Sequence, residues 1–222
     1  MKPQRLEAAL GHRFARPELL RQALTHRSYG SPHNERLEFL GDSVLNCVVA
    51  GALYDGFPTL KEGELSRLRA SLVRQEALAE IAGGLGLGDY LLLGEGEVKS
   101  GGARRPSMLA DALEAVFGAI HVDAGFDVVR KVIEHLCQPA MGRIDPDTSG
   151  KDPKTALQEV LQGRRLPLPR YSLLATRGEA HAQEFEIECV IADLDIRSTG
   201  TGPSRRIAEQ QAAQRALAEI KP

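Results

Sequence analysis

The sequence predicts two domains: an all-α part, then a small α+β unit of order α-β-β-β-α. Three observations carry this. Apolar residues recur at helical spacing through almost all of the first 140 residues. The run Arg143–Pro153 has no periodicity and is dense in Asp, Pro, Ser and Gly, the residues of turns and linkers. Beyond it, three short strand-like runs stand between two helical segments. The division is therefore a helical domain over 1–142, a linker over 143–152 and a second domain over 153–222.

Pro17, followed by Glu18-Leu19-Leu20-Arg21-Gln22-Ala23-Leu24, fits the first position of a helix, where its missing N–H is no loss. Further helices are expected over 34–54, 61–72, 74–85, 107–123 and 126–138, with Gly83, Gly84, Gly86 and Gly88 punctuating the end of the 74–85 segment. After the linker, Pro153 opens a short helix over 154–162. Strands follow over 170–176, 184–191 and 195–201; the middle one alternates polar and apolar residues as a half-buried strand should. Gly200-Thr201-Gly202-Pro203-Ser204 then turns into a last helix over about 205–221. There is no internal repeat and no low-complexity tract.

Composition bounds the class. With 42% apolar and 26% charged residues, the 222-residue chain has ample material for packed cores. No continuous apolar run approaches the roughly 18 residues of a membrane span, and the N-terminal residues lack the apolar core of a signal peptide. Cys47, Cys137 and Cys189 are odd in number and widely spaced, which fits reduced thiols and argues against a disulfide framework or a zinc site. A cytoplasmic location and no membrane partner are the expectation. The net charge of −2 advertises no nucleic-acid partner; any such binding must come from local patches.

Two acidic stretches carry chemistry. A helix turns each residue by about 100°, so Glu35, Glu38 and Asp42 fall within roughly 60° of one another, opposite Leu37, Leu40, Val44 and Val48. Asp111 and Glu114 likewise share a face opposite Leu109, Leu113, Val116 and Ile120. Two helices can thus bury apolar stripes and aim carboxylates into one cleft. Acids opposite an apolar stripe also occur on plain solvated faces, but none of these has a Lys or Arg four residues on, and Phe39 stands among them. Hard oxygen donors that repel one another call for a cation, and suit Mg²⁺ or Mn²⁺.

The stretch Asn34-Glu35-Arg36-Leu37-Glu38-Phe39-Leu40-Gly41-Asp42-Ser43-Val44-Leu45 resembles the signature of ribonuclease III, the double-stranded-RNA endonuclease. Glu62-Gly63-Glu64-Leu65-Ser66-Arg67, Gly101-Gly102-Ala103-Arg104-Arg105-Pro106-Ser107 and Leu109-Ala110-Asp111-Ala112-Leu113-Glu114 resemble further segments of that family, in order. The second domain is similar to the double-stranded-RNA-binding domain that follows the catalytic domain in bacterial members. Its cues are Pro153–Glu159, then Gly178-Glu179-Ala180-His181, then Gly200–Arg206.

The resemblance implies a homodimeric endonuclease that uses Mg²⁺, with Mn²⁺ as a substitute, and trims ribosomal and other RNA precursors. Its products would carry a 5′ phosphate and a 3′ hydroxyl with a short 3′ overhang. Glu38, Asp42, Asp111 and Glu114 would ligate metal, and Glu35 and Glu62 would assist from nearer the subunit interface. Phe39 would enter a socket on the second subunit. Thr155, Gln158, Glu159 and His181 would meet RNA minor grooves, and Ser204, Arg205 and Arg206 the intervening phosphates. From their own setting, Arg104 and Arg105, between a glycine pair and the second acidic helix, are candidates for phosphate contact, whereas His26 and His33 read as polar surface or capping residues. Many such RNA-binding domains carry a third basic residue where Glu209 stands. The formal charge over 153–222 is only +1, from 10 Lys and Arg against 9 Asp and Glu. A non-cleaving RNA-binding scaffold of the same architecture is the alternative; a metal phosphohydrolase for small nucleotides would need no RNA-binding domain.

Overall fold

A computed structural model describes residues 3–144, 152–178 and 183–220. The chain divides into two compact units, 1–150 and 151–222. Among the described residues the first unit is built from α-helices: α1 (Pro3–Leu10), α2 (Pro17–Ala23), α3 (Glu35–Gly56), α4 (Glu62–Val73), α5 (Gln75–Gly84), α6 (Glu95–Lys99), α7 (Pro106–Ala124) and α8 (Phe126–Met141). Two of these were not expected. α1 has too few turns to show a period, though Leu6 and Leu10, four apart, are both buried. α6 is a single turn without a buried residue. α8 also runs three residues past its expected end, through Pro139, which sits in its last turn.

The core is built around α7. Ten of its residues, from Met108 to Ile120, are buried, including Leu113, Val116, Phe117 and Ile120. Each such large side chain contributes about 1.5–3 kcal/mol relative to leaving it in water. α3 lays Leu37, Gly41, Val44, Leu45, Val48, Val49 and Leu53 into the same core. At 22 residues α3 is long and apolar enough to cross a bilayer, but its apolar stripe is a core face and its other face carries carboxylates. The two backbones touch through glycines. A Cβ on Gly41 would lie 1.8 Å from the Glu114 carbonyl oxygen, and one on Gly118 would lie 2.1 Å from the Leu37 carbonyl oxygen.

Two connections frame this helix pair. The Asp123 side chain near the end of α7 is buried and accepts the backbone N–H groups of Ala15 and Arg16 at 3.0 and 3.1 Å, pinning the α1–α2 connection. Thr25 and Leu92 form an isolated parallel bridge, with His26 N–H donating to the Leu92 carbonyl at 3.0 Å. That bridge holds the segment entering α3 beside the one leading to α6.

In the second unit α9 (Pro153–Gly163) and α10 (Arg205–Glu219) pack on one face of an antiparallel sheet of order β1 (Arg170–Arg177), β2 (Glu184–Ile191), β3 (Ile196–Gly202). Tyr171 pairs with Cys189 and Cys189 with Ser198, with one irregularity between Leu173 and Ala175. Leu157 and Leu161 from α9, Cys189 and Ile191 from β2, and Ala212, Ala213 and Ala216 from α10 make the core. Both helices are capped: Asp152 accepts from the N–H groups of Lys154 and Thr155, and Ser204 from that of Ile207. The three cysteines are free.

Because neither helix backbone can back away without uncovering the core, Gly118→Ala should cost about 1–3 kcal/mol of overpacking. A thermal melt of the variant is expected to fall by several degrees; a wild-type melting curve would mean the two helices are not locked together here.

Candidate active site

The glycine contact sets the geometry of the acids. Glu38 lies three residues before Gly41 on α3, and Gly41 rests on the backbone of Glu114 itself. Asp111 precedes Glu114 by three residues on the same face of α7. As a result Glu38, Asp111 and Glu114 each offer a carboxylate oxygen within 4.8 Å of the others, and all three are half-buried. Next to them is a cleft of about 400 Å³ lined by His26, Arg27, Asn34, Glu35, Glu38 and Asp111, among others.

Crowding shows in the acid strengths. Burial pushes the Glu114 carboxyl up to about 8 from its ordinary 4.5, helped by the charges of Asp42, Asp111 and Glu38. Glu38 is also raised, first by burial and then by Asp111, Glu35 and Asp42, with Arg27 opposing. Burial raises Asp111 too, against a lowering influence from His26. No Lys or Arg forms an ion pair with any of the three among the described residues. Three hard oxygen donors, held together and uncompensated, fit a divalent cation.

The other expected residues are more dispersed. Asp42 is exposed and accepts a hydrogen bond from Asn46 Nδ2 at 2.9 Å, yet lies near enough to Glu114 and Glu38 to act on both. Glu35 sits at the cleft rim, 3.2 Å from Arg27 Nη1 and 3.8 Å from His33 Nδ1. Glu62 is not in this group. It begins α4, accepts from Ser66 Oγ at 2.8 Å, and lines a surface depression with Gly51, Tyr54, Leu60 and Leu65. Phe39 projects from α3 at 78% exposure, and Tyr54, farther along the same helix, at 74%.

Arg104 is exposed, whereas Arg105 is engaged by Glu97 at 3.2 Å and Ser100 Oγ at 3.2 Å. His26 lines the cleft rather than plain surface, its Nδ1 2.7 Å from Ser28 Oγ. Sequence reasoning read His26 as a polar surface or capping residue, quoted Asn34 only as part of the signature and gave Arg27 no role; the Thr25–Leu92 bridge places this non-helical segment, where periodicity gives no signal.

In the second unit Thr155, in the first turn of α9, and Glu159, one turn on, are exposed and Gln158 is half-buried. Arg205 and Arg206 are exposed in the first turn of α10, with Arg205 stacked 6.0 Å over the Phe185 ring. Ser204 is the cap of that helix. His181 lies outside the described residues.

Comparisons with known proteins agree with this architecture. A ribonuclease-III-like family model matches residues 16–140, and a double-stranded RNA binding motif matches residues 153–220. Ribonuclease 3 of Thiobacillus denitrificans is 65% identical over 217 residues, covering 98% of this chain and 96% of that protein. The nuclease domain of ribonuclease III from Campylobacter jejuni superimposes with a TM-score of 0.62 at 45% identity, covering 65% of this chain and all of that one. A second structure of that domain, described as showing structural flexibility in a region involved in dimer formation, gives a TM-score of 0.60 at 45% identity over 61% of this chain and 96% of that one. With both of its units matched and near-complete relatives at this identity, the chain belongs to the ribonuclease III family.

Proposed function

We propose that this chain is an Mg²⁺-dependent endoribonuclease that cuts double-stranded RNA, with 1–142 as the catalytic domain, 143–152 as linker and 153–222 as the RNA-binding domain. The single observation that carries the reading is the uncompensated Glu38–Asp111–Glu114 cluster in a chain that also has a double-stranded RNA binding motif. Glu38, Asp111 and Glu114 would hold Mg²⁺, or Mn²⁺ in its place, and Asp42 would complete the donor set from the exposed side. When bound, such an ion lowers the pKa of its water, polarises the phosphoryl oxygen and stabilises the leaving 3′ oxygen. The chain's own part is to fix the donors on two interlocked helices and to keep Lys and Arg out of direct pairing with them. Arg104, exposed just ahead of α7, is suited to a backbone phosphate; Arg105 would first have to leave Glu97.

Cutting both strands needs two such sites, which a two-fold dimer supplies. Phe39 and Tyr54 are large, exposed and on one helix, and a shallow apolar depression lies beside Tyr54. In an antiparallel pairing of α3 with its copy, each Phe39 would meet the depression beside the opposite Tyr54. Glu62, which lines that depression, would then stand near the other subunit's acidic end, and Glu35 at the rim would face the same junction. That supports the assisting role for both acids. Thr155, Gln158, Glu159 and His181 are assigned to minor-groove contact, and Ser204, Arg205 and Arg206 to phosphates at a helix N-terminus. Precursor RNAs in the cytoplasm are the natural substrates of this assignment. Sedimentation of the intact chain as a monomer at micromolar concentration would sink the dimer.

Glu114→Gln is expected to lower cleavage of a labelled RNA duplex by on the order of 10³-fold, while duplex binding stays within about twofold. A DNA duplex should not be cut by either form. Wild-type cleavage by the variant would remove Glu114 from the site.

The raised Glu114 carboxyl also predicts a pH signature. The folded protein holds this proton up to about pH 8, whereas the unfolded chain releases it near 4.5. Folding therefore takes up a proton between those values, and the metal-free protein loses stability as pH rises through that window. Mg²⁺ must displace the same proton, so its binding strengthens with pH. The melting temperature in chelator should fall from about pH 6 to about pH 8.5 on this account, and the upward shift caused by Mg²⁺ should grow. A Mg²⁺ shift that is independent of pH would contradict it.

A further inference from the structure

The start of α9 and the second turn of α10 are joined by side chains that the RNA-contact assignment does not use. Lys154 Nζ lies 2.6 Å from Glu209 Oε2, with the two side chains only 31% and 27% exposed. The same ammonium sits 4.6 Å over the Tyr171 ring, so its position is fixed from two sides. Alongside, Gln210 Nε2 donates to Asp152 Oδ2 at 2.6 Å, while Asp152 Oδ1 caps α9. Lys154 is the residue before Thr155, and Glu209 is one turn beyond Arg205 on the same face of α10. The pair therefore bridges the two helix ends that would approach RNA.

Charge is scarce there. Arg177 and Arg197 are paired with Glu186 and Glu188, residues that alternate with the buried Ile187 and Cys189 and so lie on the sheet face away from the helices. Arg215 donates to the Thr199 carbonyl at 2.8 Å. In a unit whose formal charge is +1, removing one cation from the helix ends and adding one anion beside Arg205 is a large fraction of the electrostatic attraction. Affinity for a nucleic-acid backbone follows the number of phosphates neutralised, about 0.9 in the salt slope for each.

We propose that Glu209 is an affinity-limiting residue, which weakens duplex-RNA binding by holding Lys154 away from the phosphates and by setting its own charge beside Arg205. The proposal rests on the double-stranded-RNA reading given above. Lys154 is then a latent phosphate ligand, released when its partner is neutralised.

The test measures binding of the intact chain to a labelled RNA duplex, in chelator, over a salt series. Glu209→Gln is expected to tighten binding several-fold at low salt and to steepen the salt slope by about one unit. Lys154→Gln alone should leave the slope unchanged, and in the Glu209→Gln background it should cancel the added unit. Glu209→Gln binding with an unchanged or shallower slope would overturn the proposal. So would a Lys154→Gln single variant that loses about one unit, since Lys154 would then already contact phosphate; this variant keeps the test decisive should Glu209→Gln fold poorly. A wild-type chain that binds no duplex at all would overturn the RNA-binding reading itself.

Discussion

The close approach of α3 and α7 is the constraint on which the rest of the first unit depends. Gly41 rests on the Glu114 carbonyl and Gly118 on the Leu37 carbonyl, so each helix provides the gap that the other fills. A residue with any side chain at either position would force the axes apart, because the obstacle is backbone and not a side chain that can rotate. The apolar stripes on both helices reward the approach, and the carboxylates one turn away are carried into each other's field by it. Packing and chemistry are thus the same contact seen from two sides.

That contact has an electrostatic consequence. Carboxylates held in a half-buried place resist ionising: burial, reinforced by the neighbouring acids, moves the Glu114 carboxyl up to about 8 and raises Glu38, and burial raises Asp111. A chain selected for stability alone would set Lys or Arg against these acids, as it does for Glu35 with Arg27 and Glu97 with Arg105. Leaving this group unpaired lowers the stability of the fold, a loss that the proposed cation would recover on binding. The same logic runs in reverse in the second unit, where Glu209 is set against Lys154 and a site that needs positive charge has part of it withheld.

Helical periodicity made α3 and α7 legible, along with the shared acidic faces, because amphipathic spacing survives over many turns. Alternation did the same for β2. The short α1 and α6 were invisible to that reasoning, having too few residues to show a period. Phe39 stood out against its acidic neighbours, and the structure leaves it 78% exposed. The spacing argument could not tell that Asp42 would sit outside the tight trio, since an arc on a helical wheel carries no depth. It also could not place Glu62 apart from the other acids, or bring His26, Arg27 and Asn34 to the cleft. Those positions come from tertiary contacts, the Thr25–Leu92 bridge above all, and no local pattern encodes them. Gly41 lay in the quoted signature, yet its physical reason appears only once the Glu114 backbone is seen against it.

The central claim is that Glu38, Asp111 and Glu114 form one divalent-cation site. Anomalous diffraction from crystals soaked in Mn²⁺ tests it most directly, because the signal locates the ion without reference to activity. The account predicts an anomalous peak bonded to oxygens of all three residues. A peak elsewhere, or none at a concentration that supports cleavage, would contradict it.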